Sequence, residues 1–220
     1  MERFMRAILG AIVLSSVLAL TGCGPTGETN EAPNAASTVV EAVSQDTSWV
    51  LDSSASRIAF ASIKAGEVIE THFFPGLTGE ITAEGQAIVS VPLDQVETKI
   101  DLRNERMREM FFETSAFPSA TIRTAVNAQD FSDLKPGERR QSEIEGTLSL
   151  HGAEEPIFVD AYVTRIAPTR IEIESAEPVI VYVSDFGLEA GLEALREVAG
   201  LPSITSAVPV TFTFVFEADD

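Results

Sequence analysis

From Ser142 to His151 the chain alternates, with Ile144, Gly146, Leu148 and Leu150 on one side and Glu143, Glu145, Thr147, Ser149 and His151 on the other. Successive side chains of an extended chain point to opposite faces, so this period of two predicts a half-buried strand. The C-terminal stretch repeats it, with Val208, Val210, Phe212, Phe214 and Phe216 on one face and Thr211 and Thr213 opposite. Further predicted strands are Arg57 to Lys64, Val68 to Phe74, Gln86 to Val91, Thr121 to Val126, Ile157 to Ile166, Arg170 to Ser175 and Val179 to Asp185. Turn clusters such as Lys135-Pro136-Gly137-Glu138 and Ala167-Pro168-Thr169 separate most of them. So many strands in about 170 residues, without an internal repeat, predict an all-β fold, either a sandwich or a closed antiparallel barrel.

Two segments break the period. Asp101 to Glu113 offers an Asp cap and places Met107, Met110 and Phe111 at helical spacing. Leu188 to Ala199 lines up Leu188, Leu192, Leu195 and Val198 or Ala199 before a Gly200-Leu201-Pro202 stop. Both predict short helices packed on, or capping, the β structure. Met107, Met110 and Phe111 read either as the buried stripe that any surface helix needs or as part of an adaptable apolar site.

The N-terminus follows another grammar. Arg3 and Arg6 precede an apolar run from Ala7 to Leu20 and the small residues Thr21 and Gly22, the layout of a signal peptide. That run is shorter than the roughly 20 residues a helix needs to span a bilayer. Gly24 to Asp46 then contains Pro25, Pro33, several Ser, Thr and Asn, and no aromatic or basic residue, which reads as a linker. As a flexible coil it would hold the domain about 25 to 30 Å from its point of attachment. The expected organisation is a leader over residues 1–22, an anchor residue and linker over 23–47, and a β domain over 48–217.

Composition narrows the function classes. The 220-residue chain carries 15 Lys+Arg against 34 Asp+Glu, a formal charge of −19, and removing the leader takes away Arg3, Arg6 and Glu2 and leaves it more acidic still. A nucleic-acid partner is not expected, because phosphate tracking needs a basic face. One Cys forms no internal disulfide, and with two His it leaves too few ligands for an ordinary structural zinc site.

That Cys has its own context. Leu20-Thr21-Gly22-Cys23 resembles the lipobox of bacterial lipoproteins, in which cleavage precedes the Cys and the Cys carries the lipid. The resemblance implies a lipoprotein tethered to a membrane through lipidated Cys23. An acidic surface repels anionic lipid, so the acyl chains must supply the attachment. Gly24 stands where an Asp would favour inner-membrane retention in lipoproteins of the enteric type, so the periplasmic side of the outer membrane is the expected location.

Several motifs in the folded part occur in a telling order. Trp49-Val50-Leu51-Asp52 and Ser56-Arg57-Ile58-Ala59-Phe60 precede Phe73 to Ile81 with Gly76 and Gly79. Val96-Glu97-Thr98, Arg103-Asn104-Glu105-Arg106-Met107-Arg108, Phe111-Phe112 and Phe117-Pro118 follow, then Gly146 to Gly152 and Asp185-Phe186-Gly187-Leu188. This series resembles the YceI-like family over about residues 48 to 217. The resemblance implies a lipocalin-like antiparallel barrel of about eight strands, able to enclose one ligand such as a polyisoprenoid, commonly in the bacterial periplasm. Departures are His151, where a small or hydrophobic residue is common, Pro75 within the early aromatic segment, and Val183-Ser184 in place of a basic residue. The Leu188 to Pro202 segment is long enough to narrow or lid one end of the barrel.

Under that resemblance the expected function is non-enzymatic binding or transport of a polyisoprenoid or quinone-like amphiphile, with no cofactor beyond such a bound lipid. Phe60, Phe73, Phe111, Phe112, Leu148, Tyr162, Tyr182, Phe212 and Phe214 would supply the apolar lining. Arg103, Arg106 and Arg108 read either as a solvated face paired with Glu105 and Glu109 or as a mouth that hydrogen-bonds a quinone carbonyl or a phosphate. His151 reads as a solvated rim residue, a general base or a polar anchor; Asp160 reads as outward-facing. No Gly-x-Ser-x-Gly elbow, Gly-rich phosphate loop or Cys-x-x-Cys occurs, and His151-Gly152-Ala153-Glu154-Glu155 lacks the second His of an inverted zinc-peptidase motif. The alternative is a lipid-anchored interaction module whose barrel is filled by its own Phe and Leu and whose acidic outer face or helices bind a protein.

Overall fold

A computed structural model of the chain describes residues 47–219. The predicted leader, Cys23 and the linker up to residue 46 lie outside the described residues. Strands β1 (Ser48–Leu51), β2 (Arg57–Lys64), β3 (Val68–Phe74), β4 (Thr78–Ile81) and β5 (Gln86–Pro92) lead to helix α1 (Asp101–Arg106). Strands β6 (Ser119–Ala125), β7 (Arg139–Leu150), β8 (Ala153–Ala167), β9 (Arg170–Ser175) and β10 (Val179–Tyr182) precede helix α2 (Glu189–Val198) and the final strand β11 (Ala207–Asp219).

The pairing is simpler than the strand list. β1 and β2 lie end to end along one edge of β11, with Ser48 to Leu51 opposite Asp219 to Phe216 and Arg57 to Phe60 opposite Thr213 to Val210. β3 pairs β2 and β4 pairs β1, so β3 and β4 form one strand broken at Pro75-Gly76-Leu77. β9 and β10 run in turn along the other edge of β11. The chain is thus an up-and-down meander of eight antiparallel strands, closed where β11 meets β1 and β2. Closure leaves the sheet no long open edge.

Most strands form where the alternation predicts them. β1 and β4, at four residues each, are too short for alternation to announce. The strand expected over Val179 to Asp185 ends at Tyr182, because Val183–Phe186 winds into a 3-10 turn that Gly187 terminates at a φ of 66°. His151 is not the last residue of a strand face. With Gly152 it makes the two-residue β7–β8 turn, at φ values of 52° and 82°, the doubly left-handed geometry that matches strand twist.

Strand direction sorts the connections onto two ends. At what we term the upper end lie the β2–β3 turn, residues 93–118 with α1, the His151-Gly152 turn, and residues 183–206 with α2. At the lower end lie the β4–β5 turn, the loop over residues 126–138, the β8–β9 turn and both ends of the described chain. Between them the barrel is filled by Leu51, Leu77, Val89, Ala161, Phe214 and Phe216, all buried.

Candidate functional site

Above that filled middle is a cavity of about 310 Å³, within the range of small-molecule sites. Inward-facing side chains of β2, β3, β6, β7, β8, β10 and β11 form its walls, including Ile58, Phe74, Ile122, Val159, Val181 and Phe212. Its cover comes from the two segments that break the strand period. The segment expected as one helix over Asp101 to Glu113 is α-helical only to Arg106 and continues as a π-helical turn over Met107–Phe111, where the Phe112 N–H donates to the Met107 carbonyl at 2.8 Å. The wider turn brings both Phe111 and Phe112 to the cavity, their rings 4.8 Å apart, with Phe112 edge-on to Phe74 at 5.8 Å. Asp101 does not cap: the N-cap is extended Ile100 with no side-chain bond, and Asp101 sits in the first turn, where its charge suits the helix dipole.

A buried polar lock fixes the entry to α1. Asn104 Oδ1 accepts from the Thr98 N–H at 2.8 Å and from Thr98 Oγ1 at 2.6 Å, while Asn104 Nδ2 donates to Glu97 at 3.3 Å. Helix α2 lies against the π turn so closely that a Cβ at Gly191 would stand 2.6 Å from the Met110 carbonyl oxygen and 2.9 Å from Phe111 Cα. Its Leu192, Leu195 and Val198 face the cavity. The expected helical lid is therefore present.

One wall is polar. His72, in register with Phe60 and 3% exposed, makes a 2.9 Å hydrogen bond between Nε2 and Ser62 Oγ. Arg103 donates from Nη1 to Glu70 at 2.6 Å and from Nη2 to the Thr98 carbonyl at 2.6 Å; Lys64 donates to the same Glu70 oxygen. The Lys64 hydrogen bond, then that of Arg103, holds the Glu70 carboxyl below its ordinary range despite partial burial. Burial, reinforced by the Arg103 charge, pushes the His72 pKa down to about 4, so the ring is neutral near pH 7. His72 Nδ1 and Arg103 Nε are buried without a hydrogen-bond partner among the described residues. Arg103 Nε is a donor, while His72 Nδ1 donates or accepts according to which ring nitrogen carries the proton.

A YceI-like domain model matches residues 49–216. The chain belongs to the YceI-like family. Among solved structures it is similar to a polyisoprenoid-binding domain from Saccharophagus degradans implicated in plant cell wall breakdown. The two are 38% identical, the match covers 78% of this chain and 98% of that one, and the TM-score is 0.76. BcnA from Burkholderia cenocepacia, 15% identical over 75% of this chain and 98% of its own, shares the fold at a TM-score of 0.59. No curated protein matches the chain.

In this YceI-like barrel Phe60, Phe111, Phe112, Leu148 and Phe212 line the cavity, as do Arg103 and Arg106. Phe214 faces inward but belongs to the filled middle, its ring stacked on Phe212 at 4.6 Å. Phe73, Tyr162 and Tyr182 do not line the cavity, contrary to expectation. Each is one residue out of phase with an inward position, and a shift of one reverses the face. Phe73 lies under the Arg57 guanidinium at 4.6 Å, Tyr162 under that of Arg139 at 3.6 Å, and Tyr182 is 51% exposed. Their inward neighbours are Phe74, Val163 and Val181 or Val183.

Arg108 is not part of the cavity wall. His151 also stays outside it, tied at Nδ1 to the Phe186 carbonyl at 3.2 Å and at Nε2 to Glu113 at 2.9 Å, with its ring 4.3 Å from that of Phe117. It fastens the β7–β8 turn to both lid segments. Sequence reasoning missed Ser62, Lys64, Glu70 and His72 as members of the polar wall. The signal was present for His72, which shares the phase of Phe74 two positions later.

Proposed function

We propose that this protein binds a polyisoprenoid or similar amphiphile in its upper cavity and carries it at the periplasmic side of a bacterial outer membrane, tethered through lipidated Cys23. The observation that carries the reading is an apolar cavity whose wall holds two unpaired polar nitrogens, His72 Nδ1 and the donor Arg103 Nε. Buried polar groups without partners are costly, and a carbonyl or phosphate oxygen on a head group would relieve that cost at Arg103 Nε. A tail among Phe60, Phe111, Phe112, Leu148, Leu192 and Phe212 leaves water at about 25 cal/mol per Å² of apolar surface. The relative from Saccharophagus degradans, a polyisoprenoid-binding domain that aligns over nearly its whole length, supports the same ligand class. The role read for the cavity is binding, as in that relative.

The test uses the full-length Cys23→Ser chain, which is expected in the soluble fraction where the parent chain stays with membranes. Purified without detergent, it should yield an isoprenoid lipid on solvent extraction and mass spectrometry. It should also bind geranylgeraniol and decylubiquinone saturably, with Arg103→Gln weakening the quinone at least tenfold. Absence of both extracted lipid and saturable binding would overturn the ligand assignment; continued membrane association of Cys23→Ser would overturn the tether.

A further inference from the structure

The lower end holds a second cavity, of about 520 Å³, walled by Trp49, Ile144 and Ile173 from the barrel and by Phe131 and Leu134 from the loop over residues 126–138. Leu51, Val89, Ala161, Phe214 and Phe216 line neither cavity and lie between them, so this space is separate from the site described above. One cation stands in its wall. Arg165 follows Ala161 and Val163 on the inward face of β8, which places a guanidinium among apolar side chains.

The surroundings of Arg165 differ from those of its neighbours. At the same end Arg139 is paired with Glu174, Arg140 with Asp133, and Arg170 with Asp52 and Glu217. Arg165 has no carboxylate at ion-pair distance among the described residues. Its Nη1 donates to the Pro168 carbonyl at 2.9 Å and its Cζ stands 5.8 Å from the Trp49 ring centre, which leaves most of its five N–H groups uncommitted. Burial lowers its pKa, and no acidic neighbour offsets the shift. In so acidic a chain, a half-buried guanidinium left without a carboxylate beside an apolar cavity is complementary to one brought by a ligand.

We propose that the lower cavity is a second ligand site, which takes a small amphiphilic monocarboxylate with its apolar body against Trp49 and Phe131 and its carboxylate on Arg165. Asp130, Glu143 and Glu145 also line the cavity and disfavour a dianion such as a phosphate monoester more strongly than a monoanion. The site does not depend on the occupant of the upper cavity.

Trp49 is the chain's only tryptophan and lines this cavity, so its fluorescence reports the lower end. The full-length Cys23→Ser chain, first saturated with geranylgeraniol, is titrated at pH 7.5 with decanoate and, separately, with decanol. Decanoate should shift Trp49 emission saturably, at least tenfold more tightly than decanol, and Arg165→Gln should abolish that preference while leaving decanol binding as it was. An emission unmoved by millimolar decanoate, equal affinity for decanoate and decanol, or an undiminished preference in folded Arg165→Gln would each overturn the proposal. The comparison of the two probes on the parent Arg165 chain decides the matter even if Arg165→Gln fails to fold. Because the readout sits at Trp49, loss of geranylgeraniol binding would count against the upper site alone.

Discussion

At the upper end of the barrel, a helical cover encloses an apolar cavity, and the polar groups in its wall bond one another until two nitrogens, His72 Nδ1 and Arg103 Nε, remain unpaired. At the lower end, a loop stands over a roomier cavity, and one guanidinium faces it with no carboxylate of its own. Strands β6, β7 and β8 contribute side chains to both. The difference lies in the connections: the chain departs from strand periodicity twice, and both departures, α1 with its π turn and α2, cover the upper cavity. This closed barrel therefore holds two cavities set back to back, each given its chemistry by the elements at its mouth.

The contrast depends on the filled middle, so the largest expected effect comes from emptying it. Phe214→Ala should cost about 3 to 5 kcal/mol in chemical denaturation, the usual range for removing a buried Phe side chain. It should also join the two cavities, and the soluble chain should then favour isoprenoids longer than those the parent chain prefers. An unchanged length preference in folded Phe214→Ala would mean that Phe214 does not separate the two ends.

The second effect separates the ends by pH. His72 has its pKa pushed down to about 4 in the folded chain against an ordinary 6.5. Above pH 6.5 it is neutral in both states and costs nothing. Between 6.5 and 4 the unfolded chain binds the proton and the folded chain does not, so stability falls as pH falls, by up to about 3 kcal/mol in all. Thermal melts from pH 7 to pH 4 should show that slope in the parent chain and a shallower one in His72→Gln. Glu70, also held below its ordinary range, gives way at lower pH and leaves a residual slope in both. Identical slopes would remove His72 from the account of the upper end.

How much of this was legible in sequence follows from the physics of each signal. Alternation fixes faces, so the all-β class, and the inward positions of Phe60, Leu148, Phe212 and Phe214, could be read directly, while the choice of a barrel over a sandwich rested on the family resemblance. Aromatic character without phase misplaced Phe73, Tyr162 and Tyr182, because a large ring also settles on an outer face beneath an Arg. Arg165 shares the inward phase of Ala161 and Val163, yet phase alone does not say that an arginine lacks an acidic partner. The π turn was not legible at all, since a single hydrogen bond from Phe112 to Met107 leaves no mark on hydrophobic spacing. That Thr98 and Asn104 hold the lid in place was likewise hidden, because the sequence shows neither the burial of their side chains nor their mutual distance.

The smallest effect is the most specific to the lid. Inside an exposed helix, replacing Gly by Ala stabilises by about 1 kcal/mol, because Gly has the greater backbone entropy to lose. At Gly191 of α2 the sign should reverse. The added Cβ would meet the Met110 carbonyl oxygen at 2.6 Å and Phe111 Cα at 2.9 Å, and since both are backbone atoms, no rotamer change relieves the contact. The helix must move away from the π turn. Set against the propensity gain, that displacement should leave Gly191→Ala less stable by about 1 to 2 kcal/mol, in the range of modest overpacking. It should also release geranylgeraniol from the upper cavity faster in stopped flow. Decanoate binding read at Trp49 should stay as it was, because the filled middle separates that site from the lid. A stabilised Gly191→Ala with unchanged release would show that α2 does not bear on the π turn, and the upper end would then be covered no more firmly than the lower.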